Sequence, residues 1–460
     1  MFLKKLITVC IIICFENVSF SQQQQTGVLF DFDTKIVKSY DLSKTINFNK
    51  SCISFSEINI NDIQIGDVNS VLETLEFFTK DRENAQDCIP VVIEYDENLI
   101  NYSASDEVYS IQVTAQEIKI KAVAFPGVIR ALIYFDNLML KVDRNLFEFH
   151  VLDYPLINKR YIHLTQIGKK GVLKVNELID LAAKNKFNGV ILKITRDVYF
   201  ETFGDSKLKD SIITKESLTE IIKYCRTKGF EVILEFKLLT HQDRFYLNNE
   251  YLINKETYDT QNPEVYTQLL SLFKEVKYDL NVDGIHIGHD ELYGYRSYHK
   301  KLDNILSEEY FLEDIIKLRS LILDLDLTLL MWGDMFLSTD RFSRMYNKSL
   351  HGNDKLEQLL DSLPKDIIIN TFHYWDVDFY DSLSFLDSKG FQTSGGTWCF
   401  SKNIINQTNY MLTNFSFDKR MMVATTWYGA INHRRAKIIQ KGCDLLKIED
   451  IINFTGKTFW

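Results

Sequence analysis

From Pro155 onward the chain repeats one rhythm, a short apolar run followed by an amphipathic helical pattern. The runs are RYIHL (160–164), GVILKI (189–194), EVILEF (231–236), GIHIG (284–288), LTLLMW (327–332), DIIINTF (366–372), FQTSG (391–395) and MMVATTW (421–427). Between them lie helical patterns such as VNELIDLAAKNK, SLTEIIKYCRTKG and EEYFLEDIIKLRSLILDL. Strands apolar on both faces need cover on both faces, which a parallel sheet wrapped by helices provides. Eight such units in roughly 300 residues fit a closed (β/α)8 barrel better than an open doubly wound sheet. No G-x-G-x-x-G or phosphate loop follows any strand, which argues against nucleotide binding. The seventh run and the helix before it carry the weakest pattern.

The first third of the chain reads differently. IPVVIEY, VYSIQVTA, EIKIKAVA and LFEFHVLD alternate as strands, VNSVLETLEFFTK reads as a helix, and FPGVIRALIYFDNLML reads as a helix entered through Pro126 and Gly127. The fold class expected is therefore α/β, a (β/α)8 TIM barrel over residues 153–460 preceded by a small α+β domain over 22–152. No Ser- or Gly-rich linker separates the two, so rigid docking is expected. Residues 1–21 read as a signal peptide: Lys4 and Lys5, an apolar run from Leu6 to Phe15, then small residues before a Gln tract. That run is too short to span a bilayer, so export to a secreted or periplasmic location is expected.

Charge and cysteines narrow the partners. The formal charge is −10 for the whole chain and −11 without the leader, which argues against nucleic acid or an anionic membrane as a partner. Beyond the leader, Cys52, Cys88, Cys225, Cys399 and Cys443 are widely spaced without a C-x-x-C pair. Neither a disulfide framework nor a zinc site follows from them, and no cofactor is implied.

A barrel enzyme carries its chemistry at the C-terminal ends of its strands. The first run begins at Arg160, the second ends in Lys193 and Arg196, and the third gives Glu235, Lys237 and His241. The fourth ends in His286, His289, Asp290 and Glu291, and the last four give Trp332, Trp375, Trp398 and Trp427. Indole faces stack on the C–H face of a sugar ring, so four tryptophans at one barrel face suggest a saccharide pocket, although each alone would pass as core. Two adjacent carboxylates beside an aromatic pocket can be driven to opposite protonation states, one remaining an acid and the other ionised. That division suits glycoside cleavage. Alone, a DE pair after a strand would more often be an exposed loop. The HIGHDE spacing also admits a metal set through His286, His289 and Asp290, against which strand alternation and the absence of H-x-H on the first strand argue.

These residues resemble the β-N-acetylhexosaminidases of glycoside hydrolase family 20, whose fourth-strand signature H-x-G-G-D-E is matched by HIGHDE with His289 in place of the second glycine. AFPGVIRALIYFDNLML, INKRYIHL and GFEVILEFKLLTH are similar to further segments of the family. The resemblance implies that Arg160 binds sugar hydroxyls, Asp290 orients a 2-acetamido group acting as internal nucleophile, Glu291 is the general acid, His241 stands behind Glu291, and Trp332, Trp375 and Trp427 frame the acetamido group. It also exposes departures. Lys193, Arg196 and Lys237 replace a histidine and two aspartates, GGTWCF stands where Y-x-D is expected, and Gly429 replaces a carboxylate. An exo-acting glycosidase on a 2-acetamido sugar, with an anionic substituent met by the three cations, is the expectation. A carbohydrate-binding protein on a decayed barrel, or a changed sugar, are the alternatives.

Overall fold

The computed structural model describes residues 36–47, 52–59, 65–80, 88–141, 145–165, 167, 172–195, 198–203, 213–241, 249–253, 257–292, 306–342, 350–374, 377, 379–427, 443–445 and 447–460. The leader, Arg196 and Trp375 lie outside the described residues.

Six strands build the small domain: β1 (Ile36–Asn47), β2 (Cys52–Asn59), β3 (Cys88–Tyr95), β4 (Tyr109–Val113), β5 (Ile118–Ala122) and β6 (Asn145–Asp153), in the order β1-β6-β4-β5-β3-β2. In β5 the side chains of Ile118, Ile120 and Ala122 are buried while Lys119 and Lys121 are half-buried, the period-2 pattern of a sheet with one covered face. The cover is the helix Phe125–Lys141, whose residues from Gly127 to Asp136 are all buried. Gly127 is required where this helix starts, because a Cβ there would stand 2.7 Å from the Val108 carbonyl oxygen.

The barrel strands are β7 (Lys159–Leu164), β8 (Gly189–Lys193), β9 (Glu231–Leu238), β10 (Gly284–Gly288), β11 (Thr328–Trp332), β12 (Ile368–Phe372), β13 (Thr393–Thr397) and β14 (Met421–Thr425), and they close into a ring of eight. Every neighbouring pair is parallel. The strand that departs from its sequence expectation is β13, which lies two residues later than the run FQTSG. Its sequence is TSGGT, with little side chain to signal a strand. Small residues are needed there, since a Cβ on Gly396 would stand 2.1 Å from the Thr371 carbonyl oxygen of β12.

Alternation along these strands layers the barrel interior. Tyr161, Ile191, Ile233, Leu330 and Val423 form one apolar cluster. Two residues further on in each strand, on the same face, come His163, Lys193, Glu235, Trp332 and Thr425. An apolar plug thus closes the lower barrel, and polar groups collect above it at the strands' C-terminal ends.

Arg160 does not belong to that upper layer. It enters at the start of β7, in register with Met422 near the start of β14. Its Nη2 meets Glu107 of the small domain at 2.6 Å, its Nη1 donates to the carbonyls of Ile157 (2.7 Å) and Asn158 (2.8 Å), and its Nε donates to Lys186 (2.8 Å). Arg130 holds the other Glu107 oxygen at 2.6 Å. The sugar-binding role expected of Arg160 is therefore corrected: a residue at the start of a barrel strand lies at the end opposite the pocket, and its alternation with the inward Tyr161 turns it outward, where it docks the two domains. Because Arg130 still neutralises Glu107, Arg160→Met should cost about 2 kcal/mol, less than orphaning a buried charge outright. Denaturant unfolding of the variant measures that loss; a large change in substrate affinity at unchanged stability would contradict the placement.

Candidate active site

The C-terminal end of β9 supplies the first charged groups. Glu235 and Lys237, two residues apart, both point into the barrel and are buried, with the ammonium 3.1 Å from Glu235 Oε1. Glu235 Oε2 meets His163 Nε2 at 2.6 Å, and Oε1 accepts the indole N–H of Trp332 at 3.1 Å. Lys237 also donates to both oxygens of Asp290, each at 2.9 Å. A chain of polar contacts thus runs from β7 through β9 to the loop after β10. Burial alone would favour a neutral Lys237, but Asp290 and Glu235 override it and hold the ammonium above its ordinary range.

Asp290 and Glu291 are driven apart as adjacent carboxyls in unlike surroundings should be. Burial works to raise Asp290, yet Lys237, with help from His241, keeps it ionised well below the usual carboxylate range. Glu291 is pushed upward, first by burial and then by the neighbouring Asp290 charge. Its side chain is 31% exposed against 10% for Asp290, so the proton-holding group is the one that faces the cleft. His241 Nε2 lies 3.7 Å from Asp290 Oδ2 and 3.6 Å from Glu291 Oε2, between the two.

The backbone carrying the pair is held in a sparsely populated conformation. Gly288 (φ +77°), His289 (+65°) and Glu291 (+59°) are all left-handed, as is His241 (+57°) across the cleft. Such strain persists only where the surroundings fix it. His289 is turned away from the cleft, its Nε2 at 2.7 Å from Asp314, which also accepts from Tyr258 and Tyr266. The Glu291 N–H donates to Asp334 Oδ2 at 2.9 Å. His286 Nδ1 accepts from the Gly288 N–H at 3.1 Å and burial pushes its pKa to about 3, which keeps the ring neutral; with His289 turned to Asp314, the set His286, His289 and Asp290 does not converge on one point among the described residues. His241, Asp290 and Glu291 do bring ligand atoms within 4.8 Å of one another. The Lys237 ammonium already supplies the positive charge against Asp290, so this is an ion-pair site in its own right.

Aromatic side chains wall the cleft. Trp332, Trp398, Phe372, Tyr374 and Phe400 form one buried cluster, with Trp427 packed partly buried against it. The Trp332 and Trp427 rings are 6.1 Å apart, Trp427 Nε1 donates to the Tyr374 hydroxyl, and Trp398 Nε1 donates to the Trp427 carbonyl at 3.2 Å. Trp332 is fully buried, so it is the floor of the box, and Trp427 is its accessible wall. Lys193 lies 4.6 Å from the Trp427 ring centroid and Lys237 lies 5.3 Å from it. A disulfide joins Cys399, next to Trp398, to Cys443. The structure therefore brings Asp290, Glu291, His241, Lys193, Lys237, Trp332, Trp398 and Trp427 to one barrel face and sends Arg160 to the other. Sequence reading missed Tyr374, Asp334 and His351. Asp334 could have been suspected as the acidic residue two positions after a strand-end tryptophan, but His351 has no local signal.

No family model matches the chain. Among curated proteins it is 28% identical over 211 residues to beta-hexosaminidase subunit A2 of Dictyostelium discoideum, covering 41% of this chain and 38% of that one. It is 26% identical over 151 residues to a beta-hexosaminidase of Akkermansia muciniphila, covering 25% of this chain and 30% of that one. The matched part thus spans well under half the length of either relative. Solved structures align over far more of it. The chitobiase of Flavobacterium johnsoniae matches 93% of this chain and 68% of its own, with a TM-score of 0.60 at 16% identity. An exo-β-N-acetylglucosaminidase of glycoside hydrolase family 20 from Vibrio harveyi matches 93% of this chain and 73% of its own, with a TM-score of 0.64 at 15% identity. The chain has the family 20 fold. A β-N-acetylhexosaminidase from Bacteroides fragilis, at a TM-score of 0.64 and 14% identity, matches 93% of this chain and 89% of its own length, so the small domain and barrel together are the unit shared with that fold. Lys237, one of the three cations singled out in the sequence, sits on both oxygens of Asp290.

Proposed function

We propose that the protein is an exported, exo-acting glycoside hydrolase of the β-N-acetylhexosaminidase type, removing a terminal 2-acetamido sugar by substrate-assisted retaining hydrolysis. The observation that carries this reading is the opposite tuning of two adjacent carboxyls, Asp290 ionised on Lys237 and Glu291 pushed toward its protonated form, beside a tryptophan-lined cleft.

In the first half of the reaction Glu291 gives its proton to the glycosidic oxygen as the bond to C1 breaks. The acetamido carbonyl oxygen attacks C1 and closes a five-membered ring, and Asp290 receives the acetamido N–H and offsets the positive charge spread over that ring. In the second half the Glu291 carboxylate takes a proton from water as it adds to C1, which restores the acetamido group. Retention follows from two displacements at one carbon. Export is supported by the Cys399–Cys443 disulfide, a bond that persists in oxidising compartments. Of the three cations expected to meet an anionic substituent on the sugar, Lys237 pairs with Asp290 and Glu235, which weakens that part of the expectation. The occupation of both Asp290 oxygens by Lys237 favours a second reading, a glycosidase with a changed sugar.

The test is a screen of the purified protein on aryl 2-acetamido-2-deoxy-β-glycosides, with and without 6-O-sulfate, beside the matching 2-hydroxy glycosides. Turnover of the acetamido set alone is the expected result, and preference for the 2-hydroxy set would replace the first reading by the second. Sugar binding without turnover on any substrate would indicate a binding protein. A further check is Asp290→Asn, which should slow acetamido substrates and weaken binding of a thiazoline that mimics the cyclic intermediate. Unchanged thiazoline affinity would argue against substrate assistance.

A further inference from the structure

Asp334 follows β11 by two residues, in the short turn Asp334–Phe336, and is buried. Its Oδ2 takes two donors, the backbone N–H of Glu291 at 2.9 Å and Nδ1 of His351 at 2.7 Å. His351 is tied back a second time, its own N–H donating to the Asp334 carbonyl at 2.9 Å, and the following Gly352 N–H donates to Leu337 at 3.1 Å. Only 4% of the His351 side chain and 1% of the Asp334 side chain are exposed. Asp334 Oδ1 is buried and meets no hydrogen-bond donor among the described residues, so the whole hold on this carboxylate passes through Oδ2. The His351 ring also packs 6.1 Å from the Phe372 ring, at the edge of the aromatic cluster.

We propose that Asp334 and His351 are a positioning pair for Glu291: Asp334 fixes the left-handed backbone that aims the acid, and His351 sets the charge against which the acid gives up its proton. This rests on the proposed role of Glu291 as general acid. A backbone at φ +59° on a glutamate needs an anchor, and the N–H held by Asp334 is that anchor. A cation beside a carboxyl that must ionise during the reaction stabilises the product of that ionisation, because the charge pair forms as the proton leaves.

The groups facing Glu291 are Asp290 from its own segment, Lys237 and His241 from the end of β9, and Asp334 and His351 from the segment after β11. His289 faces Asp314 and stands apart. Burial favours neutral His351, but Asp334, then Glu291 and Asp290, override it and raise its proton affinity above the ordinary histidine range. His351 in turn pulls Glu291 downward, against burial and the Asp290 charge. Removing the imidazole should therefore leave Glu291 holding its proton to higher pH while making it a weaker acid.

Two measurements test the pair, and they fail separately. The first is the NMR titration of the His351 ring in the wild-type protein and in Glu291→Gln, with His351→Gln used to assign the signal. Loss of the Glu291 charge should lower the His351 midpoint by roughly 0.5–1 pH unit. An unmoved midpoint overturns the coupling, whether or not the protein hydrolyses anything. The second is the pH–rate profile of His351→Gln on an aryl glycoside with a poor leaving group. Its alkaline limb should move upward by roughly 0.5–1 pH unit, with kcat lowered about 10-fold and KM little changed. A fall in kcat with the limb in place would make the pair a structural clamp only and overturn the charge role. Asp334→Asn, if it folds, should reproduce the loss of kcat; if it does not, the two arms on Glu291→Gln and His351→Gln still decide. Absence of wild-type turnover on every substrate removes the proposed function, and the titration then stands alone as the test of the pair.

Discussion

Replacing Glu291 by Gln is expected to lower turnover about 10²–10⁴-fold on a glycoside with a poor leaving group, the ordinary contribution of a positioned proton donor. Gln keeps the shape of the side chain and removes the transferable proton, so folding should be unchanged and the loss should sit in kcat. On a nitrophenyl glycoside, whose leaving group departs without much help, the loss should be much smaller in the first displacement. The second displacement still needs a base for water, so a nitrophenyl substrate should leave a burst followed by a slow steady rate, and azide, which needs no base, should restore the rate. Equal losses in the first displacement on both substrates, or no response to azide, would assign Glu291 another role. The pH dependence follows from the direction of its shift: a carboxyl held above its ordinary value stays an acid further toward neutral pH, and activity should fall as pH rises through that raised value.

The contrast between Glu291 and Arg160 shows what a sequence can reveal of such a site. HIGHDE advertised itself because two carboxylates ended a run of buried alternation, and the structure keeps that run as β10. Arg160 is expected at the pocket from the family resemblance, on the match of INKRYIHL to the family's first strand. Arg160 opens its run, so its place at the strand's N-terminal end was already legible and stood against a pocket role; the register, with Arg160 opposite Met422, bears that out. The barrel was legible since most of its strands are short apolar runs and most of its helices 3.6-residue patterns, signals local to about ten residues; β13, TSGGT, is the exception. What escaped is non-local. The Cys399–Cys443 bond joins residues 44 apart, the His351–Asp334 contact crosses 17, and Lys237 reaches Asp290 across 53. In each case the partners meet because two loops leave the same barrel face, and no spacing rule in the chain records that. The three cations were legible as departures; what Lys237 pairs with was not, and that pairing changes its meaning from an anion-binding group to the counter-ion of Asp290.

Lys237→Met should therefore act on stability and on the acid side of the pH profile together. Met nearly preserves the volume of the side chain, so the packing loss is small. What remains is Asp290 and Glu235, both buried, without the ammonium that stood 2.9 Å from one and 3.1 Å from the other. Removing one partner of a buried ion pair costs about 3–5 kcal/mol. The sign of the pH dependence can be worked out from Asp290. In the wild type its folded pKa lies below the unfolded value of about 3.9, so its contribution to stability is full above that value and lost as pH falls through the folded one. In the variant, burial is no longer countered and the folded pKa moves above the unfolded value, so Asp290 stabilises only where it is protonated, at acid pH. The gap between wild type and variant in urea unfolding should thus be full at pH 7 and shrink toward pH 4. A gap of the same size at both would mean that lost packing, not lost charge, is responsible. Catalysis gives the independent reading. Asp290 must be ionised to receive the acetamido N–H, so the variant should show a new acid limb, activity falling as pH drops through the raised Asp290 value, at a pH where the wild type still holds Asp290 charged through Lys237.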